Sequence, residues 1–134
     1  MEQSLKQLLL KDLCARLPYK VKVRLYEKET CILMGIDGDE VYLDVDSDSF
    51  YVESIKPYLR SMSSMTEEEK GELYHYYCNE MADNLNTPNL TLELRCCVSD
   101  SFGTDWLNAH HFDYRGLIER GLALEAPEGM YNED

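Results

Sequence analysis

Two adjacent histidines and two aspartates near the C-terminal end of the chain are the residues best suited to bind a metal ion. Asp105, His110, His111 and Asp113 lie within nine residues, and imidazole and carboxylate groups are common zinc ligands. Ligands on one helix are usually three or four residues apart because those side chains share a face, whereas adjacent residues point about 100° apart. We therefore expect no metal site. A small enzyme or metal-binding protein that uses His110, His111 and Asp113 is the last-ranked alternative.

Other patterns that resemble catalytic or binding motifs are incomplete. Asp44, Asp46 and Asp48 copy the opening of a calcium loop, but Ser49 and Ile55 stand where that loop needs glycine and glutamate. The five cysteines are odd in number and lack CxxC spacing, which indicates buried, reduced thiols rather than a disulfide framework. The chain has no GxSxG, HExxH or phosphate-binding glycine loop. We expect no cofactor and favour a protein without catalytic activity.

An acidic, tyrosine-rich helix is the candidate surface for binding another protein. The residues assigned to this surface are Glu67, Glu68, Glu69, Glu72, Tyr74, Tyr77 and Glu80. The helix dipole stabilises negative charge only in the first turn, so the later glutamates gain nothing from it. Tyrosine is enriched at protein interfaces because it combines a large area with a polar end. The alternative is a solvated acidic face whose tyrosine rings line the core edge.

The net charge limits the possible partners. The 134-residue chain carries a net charge of −13, and residues 61–134 contain 15 acidic and 4 basic side chains. This field repels nucleic acid and anionic membranes and favours a basic or neutral protein partner. A strand face with Lys20, Lys22 and Arg24 is a candidate for single-stranded nucleic acid, but three positive charges are few against this total. An acidic decoy that mimics DNA is a further alternative.

Apolar periodicity predicts the elements of the N-terminal half. A helix starts from a capping box at Ser4 and Gln7 and ends at about Arg16, before Pro18. The predicted strands are Lys20–Leu25, Thr30–Ile36, Glu40–Val45 and Phe50–Ser54. The turn at Gly38 predicts a hairpin, and the strand before it, which is apolar on both faces, should be central. The segment from Ile55 to Ser64, which contains Pro57, is predicted to be a crossover.

The C-terminal half is predicted to be mainly helical. A long helix is predicted from the capping box at Thr66 and Glu69 to about Ala82, and a fifth strand over Leu90–Val98. A short helix should then run from Thr104 or Asp105 to about His111. A second short helix should be capped by Asp113 and ended by Gly121. Trp106 should be largely buried against the sheet. Residues 125–134, with Pro127 and Gly129, are expected to form a flexible tail.

These elements predict one α+β domain over residues 1–134. An N-terminal helix precedes an antiparallel sheet of four to five strands, for which an SH3-like small barrel is one possible form. One long and two short helices cover the sheet. The chain has no apolar run of the ~20 residues that a membrane helix needs and no secretory signal pattern, so we expect a cytoplasmic protein.

Three segments carry a resemblance to a known family. They are KDLCARLPYKVKV at 11–23, ESIKPYLRSMSSMTEEE at 53–69 and WLNAHHFDYRGLIERGLALEAPEGMY at 106–131. The chain resembles small uncharacterised proteins from prophages and mobile elements of Bacteroidales. This resemblance implies a phage or mobile-element origin, and it implies no activity or site residue. We therefore expect a non-catalytic, acidic accessory protein that acts by binding a basic or neutral host or phage protein.

Overall fold

The fold is described from a computed structural model for residues 2–45, 48–81 and 101–131, without the side chains of residues 76–81 and 101–102. The helices are α1 (Gln3–Arg16), α2 (Glu67–Met81) and α3 (Ser101–Ala109). The strands are β1 (Lys22–Leu25), β2 (Glu29–Asp37), β3 (Glu40–Leu43), β4 (Ser49–Tyr51), β5 (Ile55–Ser61), β6 (Phe112–Asp113) and β7 (Leu124–Glu125). The predicted α+β class is confirmed.

The strands form one mixed sheet in the order β4-β3-β2-β1-β5-β6, and β7 also pairs with β5. Strands β1 to β4 are successive antiparallel neighbours, as predicted for the meander. Strand β5 pairs antiparallel with β1 and parallel with β6 and β7. The sheet formed by the described residues is therefore open, not a closed barrel, and it has more strands than the four or five predicted.

Strand β5 occupies the segment that we predicted to be a crossover, so that prediction is wrong. Pro57 argued against a strand because proline cannot donate a hydrogen bond to a neighbouring strand. However, Ile55, Pro57 and Leu59 are buried and alternate with more exposed residues, and Pro57 lies opposite Val23. The period-two burial of this segment against the core outweighs one missing donor.

The start of α1 also differs from the prediction. The helix is preceded by Glu2, whose side chain makes no capping bond, and Ser4 lies inside the first turn with its Oγ donating to Glu2. The prediction of a capping box at Ser4 is therefore wrong. The helix ends at Arg16 as predicted, but Lys20 then adopts a left-handed conformation with φ 56°. This residue cannot continue an extended strand, so β1 begins at Lys22.

The hairpin between β2 and β3 is confirmed, with Gly38 at φ 64° in its turn. The predicted central position of β2 is confirmed, because it pairs with β1 on one side and β3 on the other. One of its apolar residues, Met34, is nevertheless exposed beside a β-bulge. Strand β4 ends at Tyr51, and a 3₁₀ turn replaces its predicted continuation to Ser54.

Helix α2 begins with the predicted capping box. The Thr66 backbone N–H donates to Glu69 Oε1 at 3.0 Å, and the Glu69 N–H donates to Thr66 Oγ1 at 3.1 Å. These two bonds satisfy donors that have no partner inside the helix. The helix extends to Met81, close to the predicted end. The predicted strand Leu90–Val98 lies outside the described residues.

Helix α3 begins at Ser101, earlier than predicted, and a series of turns replaces the second short helix. Asp113 still caps that segment, because its two carboxylate oxygens accept the N–H groups of Leu117 at 2.9 Å and Ile118 at 3.0 Å. Gly121 has the predicted left-handed conformation with φ 74°. The capping signal was therefore correct, but the backbone after it does not continue as a helix.

Residues 125–131, the described part of the segment expected to be a flexible tail, contact the core. Glu125 lies in β7 and pairs with Leu59 of β5. The hydroxyl of Tyr131 donates to the Tyr58 carbonyl at 2.7 Å. Pro127 disfavours regular structure, but it does not prevent pairing with a strand that is far away in sequence.

Two clusters of buried side chains form the core. The larger one lies between α1 and strands β1 to β5, with Leu9, Leu13, Val23 and Leu59 fully buried. The smaller one contains Met65, Leu73, Trp106, Leu107 and Phe112. Burial of Trp106 is confirmed, although it packs in the cluster of α2, α3 and β6 rather than in the sheet cluster. None of the described helices has the length and hydropathy that crossing a membrane requires.

A buried ion pair connects α1 to the C-terminal strands. Arg16 and Asp12 are both fully inaccessible to solvent, and Arg16 Nε donates to Asp12 Oδ2 at 2.7 Å. Arg16 Nη2 also donates to the Phe112 carbonyl at 2.6 Å. Arg115 Nε donates to Asp12 Oδ1 at 3.1 Å, so one carboxylate holds two guanidinium groups.

We predict that Arg16→Ala lowers the free energy of unfolding by about 3–5 kcal/mol, because it leaves a buried carboxylate with one cation and the Phe112 carbonyl without its donor. Urea denaturation measures this change. Arg120→Ala, at an exposed arginine, is the matched control and should change stability by less than about 0.5 kcal/mol. Equal effects of the two substitutions would contradict a structural role for Arg16.

Candidate binding site

An open groove of about 1020 Å³ lies between the N-terminal half of α2 and residues 125–131. We call it the acidic groove. The glutamates that line it are Glu68, Glu69, Glu72, Glu125 and Glu128. Among the described lining residues, Arg60 is the one cationic side chain. Five acidic side chains therefore share one concave surface.

Arg60 neutralises only one of these glutamates. Its Nη1 donates to Glu69 Oε2 at 2.6 Å and its Nη2 to Glu69 Oε1 at 2.8 Å. The Arg60 guanidinium also lies 4.2 Å from the centre of the Phe112 ring. These hydrogen bonds, together with those from Thr66, lower the pKa of Glu69 to about 2. Glu69 therefore holds α2 against β5 and is not free to bind a partner.

The other four glutamates of the groove are exposed. Within the part of the chain that the structure describes, they form no salt bridge. Four negative charges therefore face solvent in one groove, and the nearby arginine is already paired. A positively charged group would gain Coulomb energy there without displacing an internal partner.

The residues of the predicted partner surface do not all lie in the acidic groove. Glu68 and Glu72 line the groove, whereas Glu67 pairs with Lys70 at 3.0 Å. Tyr74 is half-buried, with its ring 6.4 Å from that of His75. The side chains of two further predicted residues, Tyr77 and Glu80, lie outside the described part of the chain.

Sequence reasoning missed the second wall of the groove. Pro127 and Gly129 interrupt any regular pattern around Glu125 and Glu128, so the sequence predicts a flexible tail there. The apolar pair Leu122 and Ala123, both buried, precedes this segment and was the available signal that the chain stays on the core there. The strand partner of Glu125, Leu59 of β5, is not identifiable from sequence.

The three residues of the alternative enzyme or metal site do not assemble. His110 stacks on Trp106, with ring centres 4.0 Å apart, and His111 stacks on Tyr131 at 3.7 Å. Both oxygens of Asp113 accept backbone hydrogen bonds. Among the described residues, no group of three or more histidine, cysteine or acidic side chains is placed to hold a metal ion.

The calcium-like sequence is also used differently. Asp44 Oδ1 accepts the backbone N–H of Ile32 at 2.8 Å, so it stabilises the end of the β2–β3 hairpin. Asp46, the second acidic residue of that pattern, lies outside the described residues.

His111 has an unusual environment. It adopts a left-handed conformation with φ 66° just after α3, where glycine is the usual residue. The side chain is 8% exposed, and its Nδ1 has no hydrogen-bond partner among the described residues. Burial, followed by the positive charge of Arg16 and then of other nearby cations, lowers the pKa of His111 to about 4. The ring is therefore neutral near pH 7.

Tyr131 holds the residues around this histidine in place. Its hydroxyl accepts the Lys22 N–H at 2.9 Å and donates to the Tyr58 carbonyl at 2.7 Å, and burial raises its pKa. Its ring lies against His111 and borders the acidic groove and two smaller cavities. One side chain from the segment that we expected to be flexible thus joins β1, β5 and the end of α3.

We predict that the burial of His111 makes the fold less stable in acid. The unfolded chain binds a proton below about pH 6.5, whereas folded His111 resists protonation until about pH 4. This difference removes up to about 3 kcal/mol of stability as the pH falls through that window. Urea denaturation of the wild type and of His111→Asn at pH 7 and pH 4 measures it. Asparagine is the chosen substitution because it tolerates the left-handed conformation and does not titrate in this range. Equal pH dependence of stability in the two proteins would contradict the prediction.

No protein-family model, curated protein or solved structure matches this chain.

Proposed function

We propose that the protein is a non-catalytic accessory protein that binds a basic segment of another protein in the acidic groove. The observation that carries this proposal is the set of four exposed, unpaired glutamates on two facing elements. Glu68 and Glu72 come from α2, and Glu125 and Glu128 come from the segment around β7. A partner with lysine or arginine side chains would complement both walls.

The rest of the groove suits a peptide-like partner. Tyr131, Met130 and Pro127 supply apolar area beside the carboxylates, and they are the kind of residues that add contact energy at interfaces. The volume of about 1020 Å³ is at the upper end of the range of small-molecule pockets. The resemblance to mobile-element proteins supports a phage or host protein as the source of the basic segment.

An acidic decoy of a nucleic-acid-binding protein is the second candidate, and the same four carboxylates favour it. A decoy would present them to a whole DNA-binding surface and would lose affinity steeply with salt, because most of its binding energy would come from exposed charges. A segment that also contacts Tyr131 and Met130 would keep more of its affinity.

Fluorescence anisotropy tests this proposal. The labelled probe is a fluorescein-tagged peptide of alternating arginine and serine, and the full chain is titrated into it. We expect the double substitution Glu68→Gln and Glu72→Gln to weaken binding by roughly threefold to tenfold, since each exposed charge contributes about 0.3–1 kcal/mol. Stability should fall by less than about 1 kcal/mol, because only Glu68 lies in the first turn of α2.

The matched control removes two exposed charges from another part of the surface. Glu27→Gln and Glu29→Gln lie at the β1–β2 turn, outside the groove, and change the net charge equally. Equal weakening by the two double variants would mean that the peptide responds only to net charge, and the groove would not be the site. Binding that vanishes by about 0.3 M salt would favour the decoy.

A further inference from the structure

Two small cavities adjoin the acidic groove at Tyr131, which borders all three. Their volumes are about 390 Å³ and about 250 Å³, and they share Tyr19, His111 and Tyr131. We call these two cavities the basic cleft. The ionisable nitrogen-bearing side chains that line it are Lys20, Lys22, Arg60, His110 and His111. Among the described residues, no carboxylate lines either cavity.

This charge pattern is the opposite of that of the whole protein. The chain has a net charge of −13, yet Lys20 and Lys22 border the smaller cavity without a salt bridge to any described residue. Lys22 Nζ donates to the Met130 carbonyl at 2.8 Å, which leaves its other two N–H donors available. Arg60 is already paired with Glu69. Two lysine charges therefore remain for a ligand in the smaller cavity.

The backbone at the cleft is strained on both sides. Among the described residues, three non-glycine residues have a positive φ, and two of them, Lys20 at 56° and His111 at 66°, border this cleft. Strain of this kind concentrates at functional sites. His111 adds a buried Nδ1 that has no hydrogen-bond partner among the described residues, and an unsatisfied buried polar atom of this kind calls for an explanation such as a missing ligand or water.

We propose that the basic cleft binds a small organic phosphate. The phosphate group lies between Lys20 and Lys22 in the smaller cavity, and the organic part lies against Tyr19 and Tyr131 in the larger one. Lysine is a common phosphate ligand because its compact charge carries three donors. The larger volume fits the range of small-molecule sites. Tyr131 borders both this cleft and the acidic groove, but the two lysines that hold the phosphate lie outside the groove, and the proposal does not depend on protein binding there.

Isothermal titration calorimetry of the full chain in a low-salt, phosphate-free buffer tests the proposal. The probes are adenosine 5′-monophosphate, ribose 5-phosphate and adenosine. We expect both phosphates to bind and adenosine not to bind. Lys20→Gln should weaken the binding of both phosphates about tenfold or more, because it removes one charge-assisted hydrogen bond. Lys20 is exposed, so this change should leave the melting temperature nearly unchanged.

Lys28→Gln is the matched control, since it removes one positive charge from an exposed lysine outside the cleft. It should leave phosphate affinity within twofold of the wild type. Equal losses for Lys20→Gln and Lys28→Gln would overturn the proposal, because they would show general charge attraction. The proposal would also be overturned if neither phosphate binds at millimolar concentration. It would likewise be overturned if adenosine binds as strongly as adenosine 5′-monophosphate.

Discussion

The buried carboxylate of Asp12 is the constraint on which the arrangement of the described elements depends. A fully buried charge is costly unless it is paired and hydrogen-bonded, and Asp12 meets this need with two arginines. Arg16 lies on the same helix, whereas Arg115 follows β6. Arg16 also donates to the Phe112 carbonyl. The requirement to satisfy one charge therefore fixes α1 against the C-terminal part of the chain.

Strand β5 makes the same connection through the backbone. It pairs with β1 of the N-terminal meander and with the two-residue strands β6 and β7. Short parallel strands contribute few ladder hydrogen bonds, so their position depends on side chains that hold them. Tyr131 and Asp113 supply such contacts, through a hydroxyl that bridges β1 and β5 and a carboxylate that caps a turn. The geometry of the candidate sites thus rests on a few polar side chains.

Charge is segregated around Tyr131. Carboxylates without salt bridges line the acidic groove, while the basic cleft that meets it at this ring contains two lysines and neutral histidines. Arg60 borders both the acidic groove and the larger cavity of the basic cleft, and its charge is neutralised by Glu69. Burial, with the nearby positive charges as a smaller cause, lowers the pKa of His111 to about 4. Two candidate sites with opposite charge therefore lie side by side.

The sequence by itself determined the α+β class, the meander, the capping box at Thr66 and the cap at Asp113, because each of these depends on residues close together in the chain. Glu68 and Glu72 of the predicted partner surface line the acidic groove. Only the tertiary structure decided that Pro57 lies in a central strand, that Glu125 and Glu128 face α2, and that His110 and His111 have separate stacking partners. These features depend on contacts between residues distant in sequence, where burial and pairing outweigh local propensity.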